Sequence, residues 1–219
     1  ASHAHEFAVG VERLERFWRI MYCARVYRTD AWTVFKSGMR FALTLLSGGL
    51  IKTYPRSFLD NMPLRRFLQK TLQLEGIQVA LAQEALRGVA VTASGYSSAS
   101  ATSYFQAQAG IDEWQRTRRK GVATTLNVHH LLASASLPIL FPAERIGNEY
   151  FGDGGMRMVA PLSPAIHLGA SKIMVIGTRD EKPDLPPESP ADYPSAGEIG
   201  GYLMDTIFMD TLNADLARM

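Results

Sequence analysis

The stretch that most restricts how this chain can fold runs from Glu144 to Gly177. "ERIGNEYF" has the form of a hairpin with Gly147 and Asn148 at its turn. It delivers the chain to Asp153, followed by Gly154 and Gly155. Ser163 and Pro164 then occupy the cap and first-turn positions of a short helix closed by Gly169, and "KIMVIG" reads as a buried strand. Strand, loop, helix and strand in close succession require a layered α/β arrangement, because each element has an apolar side that only another element can cover. An acidic residue alone among glycines admits two readings. One is a tight turn; the other is a carboxylate beside a backbone that something else approaches closely.

The rest of the chain supplies further layers. "HEFAVGVERLERFWRIMY" places Phe7, Val11, Leu14, Trp18 and Met21 in one stripe along a helix. Residues 38–46 predict a second, more apolar helix. "NMPLRRFLQKTL" predicts another, with Asn61 as cap, Pro63 in the first turn, and Leu64, Phe67, Leu68 and Thr71 inward. The small and β-branched run "GVAVTASGYSS" has the character of a buried strand, and "ATSYFQ" can pair beside it. "DEWQRTRRKGVATT" reads as a polar, basic stretch, while "NVHHLLASASLPILFP" predicts a short buried helix capped by Asn127. Residues 180–198 form a proline-rich loop, and residues 199–219 a C-terminal helix with Leu203, Ile207, Phe208, Leu212 and Leu216 on one stripe.

The charge balance is 23 Lys and Arg against 21 Asp and Glu, a formal +2, so charge alone gives no reason to expect nucleic acid as a partner. The one cysteine, Cys23, follows an aromatic stripe and is expected in the core; it excludes an internal disulfide. The longest apolar candidate, residues 41–51, is interrupted by Ser47, Gly48 and Gly49, well short of the roughly 18 apolar residues of a membrane span. The expectation is a soluble or peripheral protein, with the cytoplasm favoured. The same 41–51 segment is either core or the wall of an apolar pocket or lid.

From Ser134 to Gly177 the chain resembles the patatin-like phospholipase family. The shared pattern is an Ala-Ser segment, a Pro and an apolar-Phe-Pro step ("ASASLPILFP"), a hairpin, Asp-Gly-Gly, a Pro-Leu-containing helix and a buried strand. More loosely, the likeness extends over nearly the whole chain. It implies a three-layer α/β/α domain with a mostly parallel central sheet, spanning residues 1–219 as a single domain. The implied activity is hydrolysis of lipid carboxylic esters through a Ser-Asp dyad, without metal or organic cofactor. Asp153 matches the dyad aspartate of the family, within the motif Asp153, Gly154, Gly155. An unperturbed aspartate titrates near pH ~3.9, so the role requires desolvation to lift its basicity.

One departure stands against this pattern. The family's nucleophile sits in a G-x-S-x-G elbow, and its oxyanion hole in an early glycine-rich loop; neither occurs in these 219 residues. No serine here is assigned as nucleophile, and the chain as given is expected to be inactive. The expectation is that the sequence begins just beyond a missing strand, loop and elbow. The alternative is a non-catalytic lipid-binding or scaffold domain that keeps the patatin core. The implied partners are a lipid or other carboxylic ester substrate, peripheral contact with a membrane, and no nucleic acid. Other conspicuous residues carry two readings each. His130 either lines the site or packs in the core; His3, His5 and Glu6 are either metal ligands or a frayed terminus. Residues 116–120, "RTRRK", either touch anionic headgroups or form a solvated loop. Asp205 and Asp210 lie five apart on the last helix, on different faces, and make no carboxylate pair.

Overall fold

A computed structural model describes residues 2–28, 35, 36, 38, 39, 57–158, 160–176, 195, 197–199, 201 and 202. The helix expected over 38–46 falls largely outside the described residues. The apolar segment 41–51 lies entirely outside them. Most of the 180–198 loop and of the 199–219 helix, with Asp205 and Asp210, also falls outside. Two compact units form, Ala1–Met158 and Val159–Met219.

The first unit is built on one six-stranded sheet. Its strands are β1 (Gly88–Gly95), β2 (Ala101–Ala107), β3 (Trp114–Arg116), β4 (Arg119–Ala123), β5 (Glu144–Ile146) and β6 (Glu149–Gly152). They lie in the order β3-β4-β2-β1-β6-β5. With its helices the unit is an α/β fold, but the direction of the strands corrects the expectation of a mostly parallel sheet. Among the described strands only β2 and β4 pair in parallel, with Ala101 opposite Arg119; the other four pairings are antiparallel. For three of those four the reason is the length of the connections. β1 to β2, β3 to β4 and β5 to β6 are joined by short turns, and a short turn can only reverse the chain, whereas a parallel neighbour needs a long crossover. The small residues that end "GVAVTASG" answer to burial, complete from Thr92 to Gly95, and not to parallel neighbours.

Period-two alternation then divides the sheet's residues between two faces. Ala93, Tyr104 and Phe151 share one face and enter a buried cluster with Ile77, Leu126 and Ala133. Helix α4 (Glu75–Ala82) contributes Ile77, and α5 (Val128–Ser134) contributes Ala133. On the opposite face Trp114 stacks on Phe105, with ring centroids 4.9 Å apart. Gly121 lies under that indole, since a Cβ there would collide with the ring. The stretch read as a solvated loop is therefore a hairpin, β3–β4, tied to the core by Trp114. The expected hairpin at Gly147 and Asn148 is present as β5–β6, with Gly147 at φ +60°.

Helix α1 (Phe7–Arg19) forms where its 3.6-residue period predicts, but its stripe is not buried: Phe7, Val11, Leu14 and Trp18 are exposed. Periodicity dictates which residues share a face, not what covers it. The inward side of α1 is marked by Phe17, which packs on Phe67 of α3 (Met62–Thr71), with ring centroids 5.1 Å apart. Asn61 is buried at the start of α3, yet its side chain makes no cap; Asp60 Oδ1 accepts the Met62 N–H at 2.9 Å instead. Cys23, expected in the core, is exposed on the short helix α2 (Cys23–Val26). Among the described residues no helix is long and apolar enough to cross a membrane.

The second unit holds helix α6 (Ser163–His167), with Pro164 in its first turn and Gly169 beyond its end at φ +85°. The buried strand expected at "KIMVIG" does not form over its described residues. Lys172–Ile176 has no strand pairing, and Met174 and Ile176 are 83% and 81% exposed. A strand is defined by its partner, and an apolar run supplies only half of the pair.

Candidate active site

Asp153 stands where β6 ends. The last residue of that strand, Gly152, pairs with Ser94 of β1, so the chain leaves the sheet at a defined point. The Asp153 N–H donates to the carbonyl of Ser136 at 2.9 Å, which fastens the aspartate to the segment following α5. Its Oδ1 accepts the Gly155 N–H at 2.7 Å and caps a 3-10 turn over Gly154–Arg157.

Gly154 is required at its position. A Cβ there would fall inside the contact radius of the Thr92 carbonyl oxygen, 3.0 Å from the Thr92 carbonyl carbon and 3.5 Å from Ser134 Oγ. The glycine thus lets the turn lie directly on β1, and Ser94 Oγ donates to its carbonyl at 3.4 Å. The Asp-Gly-Gly motif is both a tight turn and a way of holding a carboxylate against the sheet.

The Asp153 side chain is partly buried. Burial raises its pKa above the ordinary 3.8, and the Gly155 N–H opposes the rise by stabilising the anion. The net result is a carboxylate more basic than one in water, which is the requirement for proton abstraction. Tyr96 closes one side: its ring lies on Gly152, with the hydroxyl 2.6 Å from where a Cβ would stand. Its own pKa is raised, first by burial and then by the Asp153 charge. The reverse influence is absent because the phenol is still neutral where a carboxyl titrates.

Two serines beside the motif, Ser136 and Ser94, serve the backbone. Ser136 Oγ donates to Leu132 O at 2.6 Å, and Ser94 Oγ to Gly154 O as above. His130 is buried and belongs to a cap. Asn127 Oδ1 accepts the His129 N–H, and His130 Nδ1 accepts the Asn127 N–H at 3.1 Å. Accepting that bond requires a neutral ring, consistent with a pKa lowered first by burial and then by neighbouring His129. His130 therefore packs, against Tyr104 at 4.6 Å between centroids. His3 Nε2 lies 3.0 Å from Arg13 Nη1, and no cluster of potential metal ligands occurs among the described residues.

A polar cluster that sequence reading missed joins three elements. Buried Glu144 accepts from Arg65 Nη2 and pairs with His129 Nδ1, both at 2.6 Å. It ties α3, α5 and β5 together on the segment leading into β6. The contributing residues lie 79 and 15 apart in sequence. No local pattern announces such a meeting.

The sequence model of the family described as patatin-like phospholipase matches residues 10–166, more than half the chain. No curated protein and no solved structure matches.

Proposed function

This chain belongs to the patatin-like phospholipase family, and from that premise we propose that Asp153 is the aspartate of a Ser-Asp dyad that hydrolyses carboxylic esters of lipids. The family acts on lipid esters, which makes the substrate class coarse but definite. The observation that carries the finer reading is the setting of Asp153: partly buried, raised in pKa, and anchored through its backbone N–H and Oδ1. In the acylation step the carboxylate takes the proton of the serine hydroxyl as its oxygen attacks the ester carbonyl, and gives that proton to the departing oxygen, which leaves as the alcohol. In deacylation it takes a proton from water as the water oxygen attacks the acyl carbonyl, and passes that proton to the serine oxygen as the acid leaves. The nucleophile is a serine that these 219 residues do not hold in a G-x-S-x-G setting, and the chain alone is inactive on this reading. The protein works on its substrate from the membrane periphery.

A second reading rests on that same missing motif: a lipid-binding or scaffold domain without turnover. The experiment is labelling by a serine-directed fluorophosphonate, together with ester hydrolysis, in the longest reading frame that contains these residues. The dyad predicts both activities in the wild type and loss of both in Asp153→Asn. Undiminished turnover in Asp153→Asn removes the aspartate from the mechanism. An unlabelled wild type establishes the second reading.

A further inference from the structure

The three hairpins of the sheet all turn at one end. β1 leaves that end at Gly95 and β2 enters it at Ala101. The parallel register of β2 and β4 sets Arg119 opposite Ala101, which brings the Thr117–Arg118 turn beside the first. The pairing of Gly95 with Phe151 carries the Gly147–Asn148 turn to the same end. Around these turns stand Arg116, Arg118, Arg119, Lys120 and Arg145, against one carboxylate, Glu149. A chain with a net charge of only +2 thus concentrates cations on one rim.

The rim is built at the expense of local stability. Arg116 lies directly opposite Arg119 in the β3–β4 register, and like charges in facing positions repel. Arg118 sits at φ +59°, in the left-handed region that favours glycine. Local choices that oppose stability collect at functional surfaces. Tyr96 and Tyr150 flank the cations at 47% and 50% exposure, and such amphipathic rings settle at headgroup level. Tyr96 also reaches Gly152, next to Asp153, so the rim borders the candidate site.

We propose that this hairpin rim seats the protein on an anionic lipid bilayer, with Arg116, Arg118, Arg119, Lys120 and Arg145 facing acidic headgroups and the tyrosines entering the interface. The seating rests on the lipid-ester reading of the Asp153 site for its purpose, since it would hold that site at the layer where acyl esters lie. Binding itself needs no turnover.

The test is flotation of the 219-residue chain with phosphatidylcholine vesicles, with and without phosphatidylserine. The expected result is partitioning that requires phosphatidylserine and weakens as salt rises. Arg116→Gln with Arg118→Asn, the asparagine chosen because it tolerates the left-handed backbone, should weaken it about 30-fold, at about a fivefold effect per surface cation. Arg66→Gln with Lys70→Gln, exposed cations on α3, should leave it unchanged, with both double variants checked for unaltered thermal unfolding. Asp153→Asn should float like the wild type, so failure of catalysis and failure of seating register separately. Equal binding to neutral vesicles, equal loss in both double variants, or preference for a single-stranded RNA over the vesicles overturns the proposal.

Discussion

Replacing Gly154 by alanine tests whether the motif is held against the sheet as described. The added methyl meets the carbonyl oxygen of Thr92 inside contact distance and the carbonyl carbon at 3.0 Å. Thr92 belongs to β1 and is paired with Ser103 of β2, so its peptide cannot turn away without disturbing that ladder. Overpacking of this kind costs about 1–3 kcal/mol. Losing the bond from Ser94 Oγ to Gly154 O adds about 1 kcal/mol. The reduced freedom of the unfolded chain returns about 0.4–1 kcal/mol. The net expectation is a loss of about 1–3.6 kcal/mol, and a midpoint about 2–14 °C lower for a chain of this size. Urea unfolding followed by far-UV circular dichroism measures it, with an unchanged m-value showing that the surface exposed on unfolding is the same. Gly147→Ala is the internal comparison: it meets open space and carries only the strain of φ +60°, about 1–2 kcal/mol. A Gly154→Ala loss below about 0.5 kcal/mol, within ordinary surface variation, would refute the close packing of the turn on β1.

Two further outcomes follow from the same geometry. Because the folded pKa of Asp153 is raised, the folded state binds its proton more tightly than the unfolded state, and stability falls as pH rises from the ordinary value of 3.8 through the folded value. Asp153→Asn, which keeps an acceptor for the Gly155 N–H, should therefore be more stable than wild type at neutral pH. That advantage should vanish in urea titrations below pH 3.8; an Asn variant less stable at neutral pH contradicts the desolvation argument. Glu144→Gln should cost about 2–3 kcal/mol, less than a fully buried pair because Arg65 and His129 are partly exposed. A double-mutant cycle with Arg65→Gln should show a coupling of at least about 1 kcal/mol, and additive losses would dissolve the cluster.

Much of this was legible from residue order alone, and the exceptions share a cause. Asp153, Gly154 and Gly155, the Gly147–Asn148 hairpin, the strand at Gly88–Gly95 and the helix at Phe7–Arg19 are all local patterns, set by backbone preferences and by the period of the side chains. The family likeness was visible in the same way, because it lies in short motifs in a given order. Tertiary structure alone decided strand direction, through the reach of each connection. It made "DEWQRTRRKGVATT" a hairpin, since what pins it is Trp114 on Phe105, a contact between strands. It left the α1 stripe exposed and "KIMVI" unpaired, because an apolar face names no partner. It also brought Arg65 and His129 to Glu144, and set Asp153 partly out of water with Tyr96 beside it. A carboxylate's basicity depends on what surrounds it in space, and that is a property of neighbours distant in the chain.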